Sequence, residues 1–385
     1  MKKIPYGRQH ITPEDLKAVN ETLLSDFLTQ GPKAAEFEKA FAQYVGADYA
    51  VAVSNGTAAL DLCVKAIKGK KGDRFITTPI TFVASANCVK FNNGDVEFCD
   101  IDRETYLMDL NRLEDMLKKE GKGSYKAVIP VEFAGYPVNL EELRSLADKY
   151  DFRIIEDACH APGGAFQNSK NEWQQCGNGN YADLAIFSFH PVKHIATGEG
   201  GMVTTNDKGL YEKAMSLRTH GITKDPDLLK ENQGGWYYEM QDLSHNFRLT
   251  EFQAALGLSQ LKRAKKGLEK RRKLADTYKK AFSELEAIRI PDIPENILHA
   301  YHLYVIEVPE RKKFYDYLRE QGIFAQVHYI PVHFMPYYRQ FGWKKGDFPQ
   351  AEDYYEHCIS LPMYPTLTDE DQDYVIEKVK GYFKS

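Results

Sequence analysis

The sequence predicts an α/β fold: a mainly parallel central sheet with helices on both faces, followed by a smaller α+β C-terminal domain. Three observations carry this prediction. Short apolar runs alternate with stretches of helical length through the first half of the chain. A helix-forming, proline-free stretch follows residue 250, and beyond Pro291 the pattern changes to strand, helix and strand.

Thr12-Pro13-Glu14-Asp15 opens the first helix, with Thr12 as cap, Pro13 in the first turn and two acids that complement the helix dipole. Tyr49 to Val53, Arg74 to Thr77, Val96 to Cys99, Ala127 to Val131 and Arg153 to Ile155 then read as strands separated by helices. That alternation is the signature of parallel pairing. Leu184 to Phe187 and Met202 to Thr205 join the same sheet without a long helix between them. These elements form a large domain over residues 1–249 with an N-terminal arm. Residues 250–285, rich in Ala, Leu, Lys, Glu and Gln with only two glycines, are expected to form one connecting helix. Residues 286–385 form the small domain: a strand (301–308), a helix (311–321), a strand (324–328) and two C-terminal helices.

A chain of 385 residues is long enough to enclose a buried site. Its 50 basic and 55 acidic residues give a formal charge of -5, which offers no electrostatic footprint for nucleic acid or an acidic membrane surface. The six cysteines are scattered, without the Cys/His clustering that zinc requires, so no metal is expected and reduced thiols in a cytoplasm are. The opening MKKIPYGRQH lacks the apolar run of a secretory segment, and no stretch approaches the ~20 apolar residues of a membrane span.

Three strand ends carry chemistry. Ser54-Asn55-Gly56-Thr57 joins a strand to a helix, where free N–H groups and the helix dipole suit an anion; alone, such a turn is ordinary. Glu156-Asp157 ends the next informative strand, where ligands of open α/β sheets bind, and a carboxylate there keeps a pyridine nitrogen protonated; a helix cap is the plainer use. Phe187-Ser188-Phe189-His190-Pro191-Val192-Lys193 follows a further strand, and a lysine beside the glycine-rich turn at 198–201 is suited to covalent chemistry with a carbonyl. Their order along the chain makes the plain alternatives jointly improbable.

SNGTAAL (54–60), TTPITFVASAN (77–87), EDACHA (156–161), FSFHPVKHIATGEGG (187–201) and HNFRLTEFQAA (245–255) together resemble the DegT/StrS family of sugar aminotransferases over essentially the whole chain. The resemblance implies a fold-type I enzyme dependent on pyridoxal 5'-phosphate (PLP). Lys193 would bond the cofactor and shuttle protons, Asp157 would pair with the pyridine nitrogen, and Phe82 would stack on the ring. Gly56, Thr57 and Ser188 would hold the phosphate, joined by Asn246 from a partner subunit, which implies a homodimer with composite active sites. His160 would order the cofactor's surroundings. Cys159 stands where the family commonly has alanine or serine, Ala196 where threonine is frequent, and Glu132 where Asp or His is more usual.

The stretch GIFAQVHYIPVH (322–333), with IPYGRQ (4–9) and AEDYYEHCISLPMYP (351–365), resembles a branch of the family that makes UDP-4-amino-4,6-dideoxy-N-acetyl-β-L-altrosamine, an intermediate of pseudaminic acid synthesis. That likeness implies a UDP-linked 4-keto sugar as acceptor and L-glutamate as donor. Tyr6, Gln326, His328, Tyr329 and His333 would then bind the sugar, and Arg248 the donor carboxylate or the diphosphate. Another UDP- or dTDP-linked keto sugar is the alternative substrate. A non-catalytic sensor that binds PLP is the alternative from another class, and the intact Lys193, Asp157 and Ser188 argue against it.

Overall fold

In the computed structural model, which describes residues 3–384, the apolar runs form one seven-stranded sheet. Its strands are β1 (Tyr49–Val53), β2 (Arg74–Thr77), β3 (Asp95–Phe98), β4 (Ala127–Ile129), β5 (Arg153–Asp157), β6 (Leu184–Ser188) and β7 (Gly201–Thr205), in the spatial order β1-β7-β6-β5-β4-β2-β3. β2 to β6 pair in parallel with one another, whereas β7 runs antiparallel to both β6 and β1. The loop from β6 to β7 contains no crossover helix, so the chain returns beside itself in the opposite sense.

Alternate residues of each strand feed two cores. Ile76, Val128 and Ile154 face a layer that includes Leu113, Leu117 and Leu143, whereas Phe75, Ile129 and Ile155 face Leu60, Val64 and Ala214. The helices concerned are α1 (Pro13–Leu23), α2 (Pro32–Val45), α3 (Gly56–Ala66), α4 (Ala84–Phe91), α5 (Leu110–Glu120), α6 (Leu140–Tyr150) and α7 (Lys208–Leu217). At the start of α1 the Asp15 carboxylate accepts the Thr12 N–H at 2.9 Å, and Pro13 occupies the first turn.

The single helix expected over 250–285 is two, α8 (Glu251–Leu261) and α9 (Ala264–Phe282). No glycine or proline stands at the break. Instead Arg263 leaves helical geometry (φ -115°, ψ 7°) while its guanidinium grips both Asp15 oxygens at 2.5 and 2.7 Å and the His10 carbonyl at 2.6 Å. Helix propensity is a weak prior against a tertiary anchor of this kind.

Beyond α9 the expected pattern is altered in two places. β8 (Tyr304–Glu307) precedes α10 (Arg311–Glu320), but the strand expected over 324–328 shrinks to Ile323–Phe324, parallel to Ile4–Pro5, plus one bridge from Gln326 to Ser360. The antiparallel partner of β8 is β9 (Cys358–Leu361), which lies between α11 (Pro349–His357) and α12 (Asp369–Lys384). All four residues of β9 are buried, so it lacks the alternation that marks a half-exposed strand. Among the described residues no helix is long and apolar enough to cross a membrane.

Candidate active site

The carboxyl ends of the parallel strands open into a cavity of about 980 Å³. At one end α3 begins: Asn55 caps it by accepting the Ala58 N–H at 2.8 Å, which leaves the first N–H groups of the helix without intrahelical partners. A Cβ on Gly56 would stand 3.0 Å from the Ser188 Cβ, so glycine lets the turn close against that serine. β7 passes equally close, because a Cβ on Gly201 would lie 2.5 Å from the Asn55 carbonyl oxygen. The result is a nest of backbone donors, an amide cap and a hydroxyl that suits a phosphate without net positive charge.

At the cavity's centre Asp157 closes β5. Its Oδ2 accepts from Ser85 Oγ at 2.7 Å and its Oδ1 from the Cys159 N–H at 3.2 Å, which fixes the carboxylate plane. Lys193 reaches in from the β6–β7 loop, its backbone N–H tied to the His190 carbonyl at 2.8 Å and its Nζ 3.4 Å from His302 Nε2. Burial pushes the amine below its usual proton affinity; Cys159 and Asp157 oppose that shift and the Arg271 guanidinium adds to it. His160 accepts the Ala134 N–H on Nδ1 at 3.2 Å, so its Nε2 meets the Tyr329 hydroxyl, also at 3.2 Å. Burial keeps this imidazole neutral. The Phe82 ring is exposed at the cavity, 6.3 Å from that of Tyr329. Anion nest, exposed aromatic face, carboxylate and depressed amine match the phosphate, ring, pyridine nitrogen and aldehyde carbon of PLP.

The expected residues divide into two groups. Gly56, Thr57, Phe82, Asp157, His160, Ser188, Lys193, Tyr6, His328 and Tyr329 all line the cavity. Tyr6 arrives because Ile4–Pro5 pairs with Ile323–Phe324, which brings its ring 5.1 Å from that of His328. His328 is held through Nδ1 by Ser360 Oγ at 2.9 Å, and burial next to Lys193 pushes its pKa down to about 3. Gln326, His333, Asn246 and Arg248 do not line it. Gln326 pairs through its backbone with Ser360, and His333 is fully buried with Nε2 3.0 Å from Glu352. Asn246 and Arg248 alternate with His245 and Phe247, which do line the cavity; in extended chain, neighbours point to opposite sides.

Sequence reasoning missed His302, Ser85 and Arg271. Arg271 is almost fully buried, and its Nη1 donates to the carbonyls of Tyr301, His302 and Met363 at 2.9 to 3.2 Å. It thereby holds the backbone that presents His302 to Lys193. Ser85 lay within a quoted motif without a role, whereas His302 and Arg271 sit in stretches whose pattern reads as strand and solvated helix.

Residues 9–380 match the DegT/DnrJ/EryC1/StrS aminotransferase family. The spore coat polysaccharide biosynthesis protein SpsC of Bacillus subtilis is 38% identical over 99% of this chain and 97% of its own. A UDP-4-amino-4,6-dideoxy-N-acetyl-beta-L-altrosamine transaminase of Campylobacter jejuni is 34% identical over 98% of this chain and 99% of its own. Among solved structures, Helicobacter pylori PseC, an aminotransferase involved in pseudoaminic acid biosynthesis, superposes with a TM-score of 0.90 at 33% identity, covering 100% of both chains.

Proposed function

The chain belongs to the DegT/DnrJ/EryC1/StrS aminotransferase family and is a PLP-dependent sugar aminotransferase, from which premise we propose its reaction. It moves the amino group of L-glutamate to C4 of UDP-2-acetamido-2,6-dideoxy-β-L-arabino-hexos-4-ulose. The product is UDP-4-amino-4,6-dideoxy-N-acetyl-β-L-altrosamine, for pseudaminic acid synthesis. The 34% identity to the Campylobacter transaminase and the likeness to PseC support this substrate. The 38% identity to SpsC supports the second reading, another nucleotide-linked keto sugar. The six free cysteines support a cytoplasmic setting.

One observation carries the chemistry: an anion nest, Asp157 and the Lys193 amine converge on a single cavity whose other wall holds Tyr6, His328 and Tyr329. PLP, when bound, supplies an electron sink that stores the amino group between donor and acceptor. In this reading Lys193 would hold the cofactor's aldehyde carbon, and its amine would serve as the proton carrier of the site. Asp157, fixed by Ser85 and the Cys159 N–H, keeps the pyridine nitrogen protonated. Gly56, Thr57 and Ser188 take the phosphate, Phe82 covers the ring, and His160 orders the neighbouring wall. Tyr6, His328 and Tyr329 take the sugar. Asn246 and Arg248, turned away from their own cavity, serve the cavity of a second copy, so the working unit is a homodimer.

Borohydride reduction followed by peptide mapping should fix the cofactor to the Lys193 peptide. A label on another lysine overturns the site. Offering the L-arabino and D-xylo 4-keto UDP sugars in parallel with glutamate, and identifying products by NMR, tests the substrate. Preferential amination of the D-xylo sugar overturns the pseudaminic acid assignment and leaves the aminotransferase class standing.

A further inference from the structure

Two carboxyl groups that this chemistry does not use lie fully buried behind Asp157. Glu132 follows β4 and Glu156 is the penultimate residue of β5. Glu132 Oε2 accepts the Val138 N–H at 2.5 Å, and Glu156 Oε1 accepts the Gly177 N–H at 2.9 Å. The other oxygen of each, Glu132 Oε1 and Glu156 Oε2, is buried and receives no donor. Ligand atoms of the two glutamates and Cys176 lie within 4.8 Å of one another.

Two ionised carboxylates at this separation, away from water and without a cation, repel strongly. One proton removes the repulsion and gives both orphan oxygens a partner, since a protonated carboxyl donates and an ionised one accepts. The pair is also tied to Asp157 through the backbone: the Glu132 N–H donates to the Asp157 carbonyl at 3.1 Å, and the Asp157 N–H to the Pro130 carbonyl at 2.9 Å.

We propose that Glu132 and Glu156 share one proton between their unpartnered oxygens, and that this bond positions Asp157 at the cavity. Burial raises the proton affinity of both, and for Glu132 the neighbouring Glu156 adds to it. The other titratable groups facing the pair are Asp157 and Cys176; neither is cationic, and burial keeps the Cys176 thiol protonated. The functional half rests on the role proposed for Asp157, whereas the shared proton does not.

The arrangement predicts a non-additive pattern of substitutions. In Glu132→Gln the amide oxygen still accepts from Val138 and the amide nitrogen donates to Glu156; Glu156→Gln works in mirror image with Gly177. In the double variant both oxygens are committed to the backbone, and two NH₂ groups face each other. Thermal unfolding of PLP-loaded protein should therefore show each single variant close to wild type at neutral pH. The double variant should melt well below the sum of the single shifts and release cofactor more readily.

The pH dependence provides a reading even where the double variant does not fold. The folded pair holds its proton above the ordinary carboxyl value of 4.5, so its stabilisation is complete below that value and is lost progressively as pH rises from there through the folded value. Wild type should lose stability as pH rises from about 4.5 through the Glu156 value of about 7, and the single glutamine variants should lose less over the same range. Additive shifts in a double variant that folds, or equal losses over that pH range in all three proteins, overturn the proposal. So does one equivalent of tightly bound metal in the wild-type holoenzyme, because a cation would then take the proton's place. Asp157→Ala, assayed in parallel for cofactor retention, separates the two claims: if it retains PLP as wild type does, the role of Asp157 fails independently of the glutamate cycle.

Discussion

Lys193 is suited to the proposed role of a base because burial makes its amine harder to protonate. Burial is the largest influence and lowers its affinity from the ordinary 10.5. A lowered value means that the neutral amine is present at a lower pH than in free lysine. The rate of the glutamate half-reaction, followed by cofactor absorbance, should rise with pH and level off below 10.5. His302 supplies the side-chain contact at 3.4 Å, and burial with the nearby Lys193 charge keeps its imidazole neutral. His302→Phe should leave Lys193 as the borohydride-labelled residue yet slow both half-reactions. The expected loss is about 0.5–1.5 kcal/mol, or roughly a few-fold to tenfold in rate. Tyr329→Phe should also slow both half-reactions, because its hydroxyl meets His160. His328→Ala should instead weaken sugar turnover and spare the glutamate step.

Two elements depend on side chains that anchor their ends. Asn55 caps α3, and Asn55→Ala should cost about 1 kcal/mol of stability. Because that helix start forms the anion nest, the same variant should release PLP more readily, as measured by equilibrium dialysis. At the break between α8 and α9, Asp15 binds Arg263. Burial alone would raise the Asp15 carboxyl, but bonds from Arg263, Ser259 and the Thr12 N–H outweigh it and hold the group below its ordinary 3.8. A depressed carboxyl contributes stability that is present above the unfolded value and lost as pH falls through the folded one. Arg263→Ala should therefore lower the melting temperature at neutral pH and narrow its gap to wild type in acid. Hydrogen exchange should localise the loosening to α1.

For the whole molecule, the proposed homodimer has to account for exposed apolar side chains. Trp236 is 73% exposed and Leu243 83%, on the excursion that leads to His245 and Asn246. Exposed apolar side chains beside residues that turn from their own cavity fit the proposed second copy. Mixing Lys193→Ala with Asn246→Ala subunits should restore roughly a quarter of wild-type activity. Random pairing makes about half the dimers mixed, and each of these has one intact site. No recovery in dimers shown to be mixed would assign Asn246 to its own chain.

The sequence by itself determined the parallel sheet, the motif order and the residues proposed for the cofactor wall, which line one cavity. Each of these is written locally: strand ends, a glycine turn, an Asp and a Lys in fixed succession at the same edge. Strand β9 escaped because four fully buried residues show no alternation, and the helix break escaped because a distant Asp15 imposes it. The wall proposed for the substrate was half legible. Tyr6, His328 and Tyr329 reach the cavity, but Gln326 and His333, in the same stretch, turn into the protein. Composition names the groups able to bind a sugar, and only the register of the chain decides which way each one points. His302, Arg271 and the Glu132–Glu156 pair were beyond local reading for the same reason. Their chemistry arises from separation in sequence closed by packing, and burial, which sets their protonation, is a property of the folded whole.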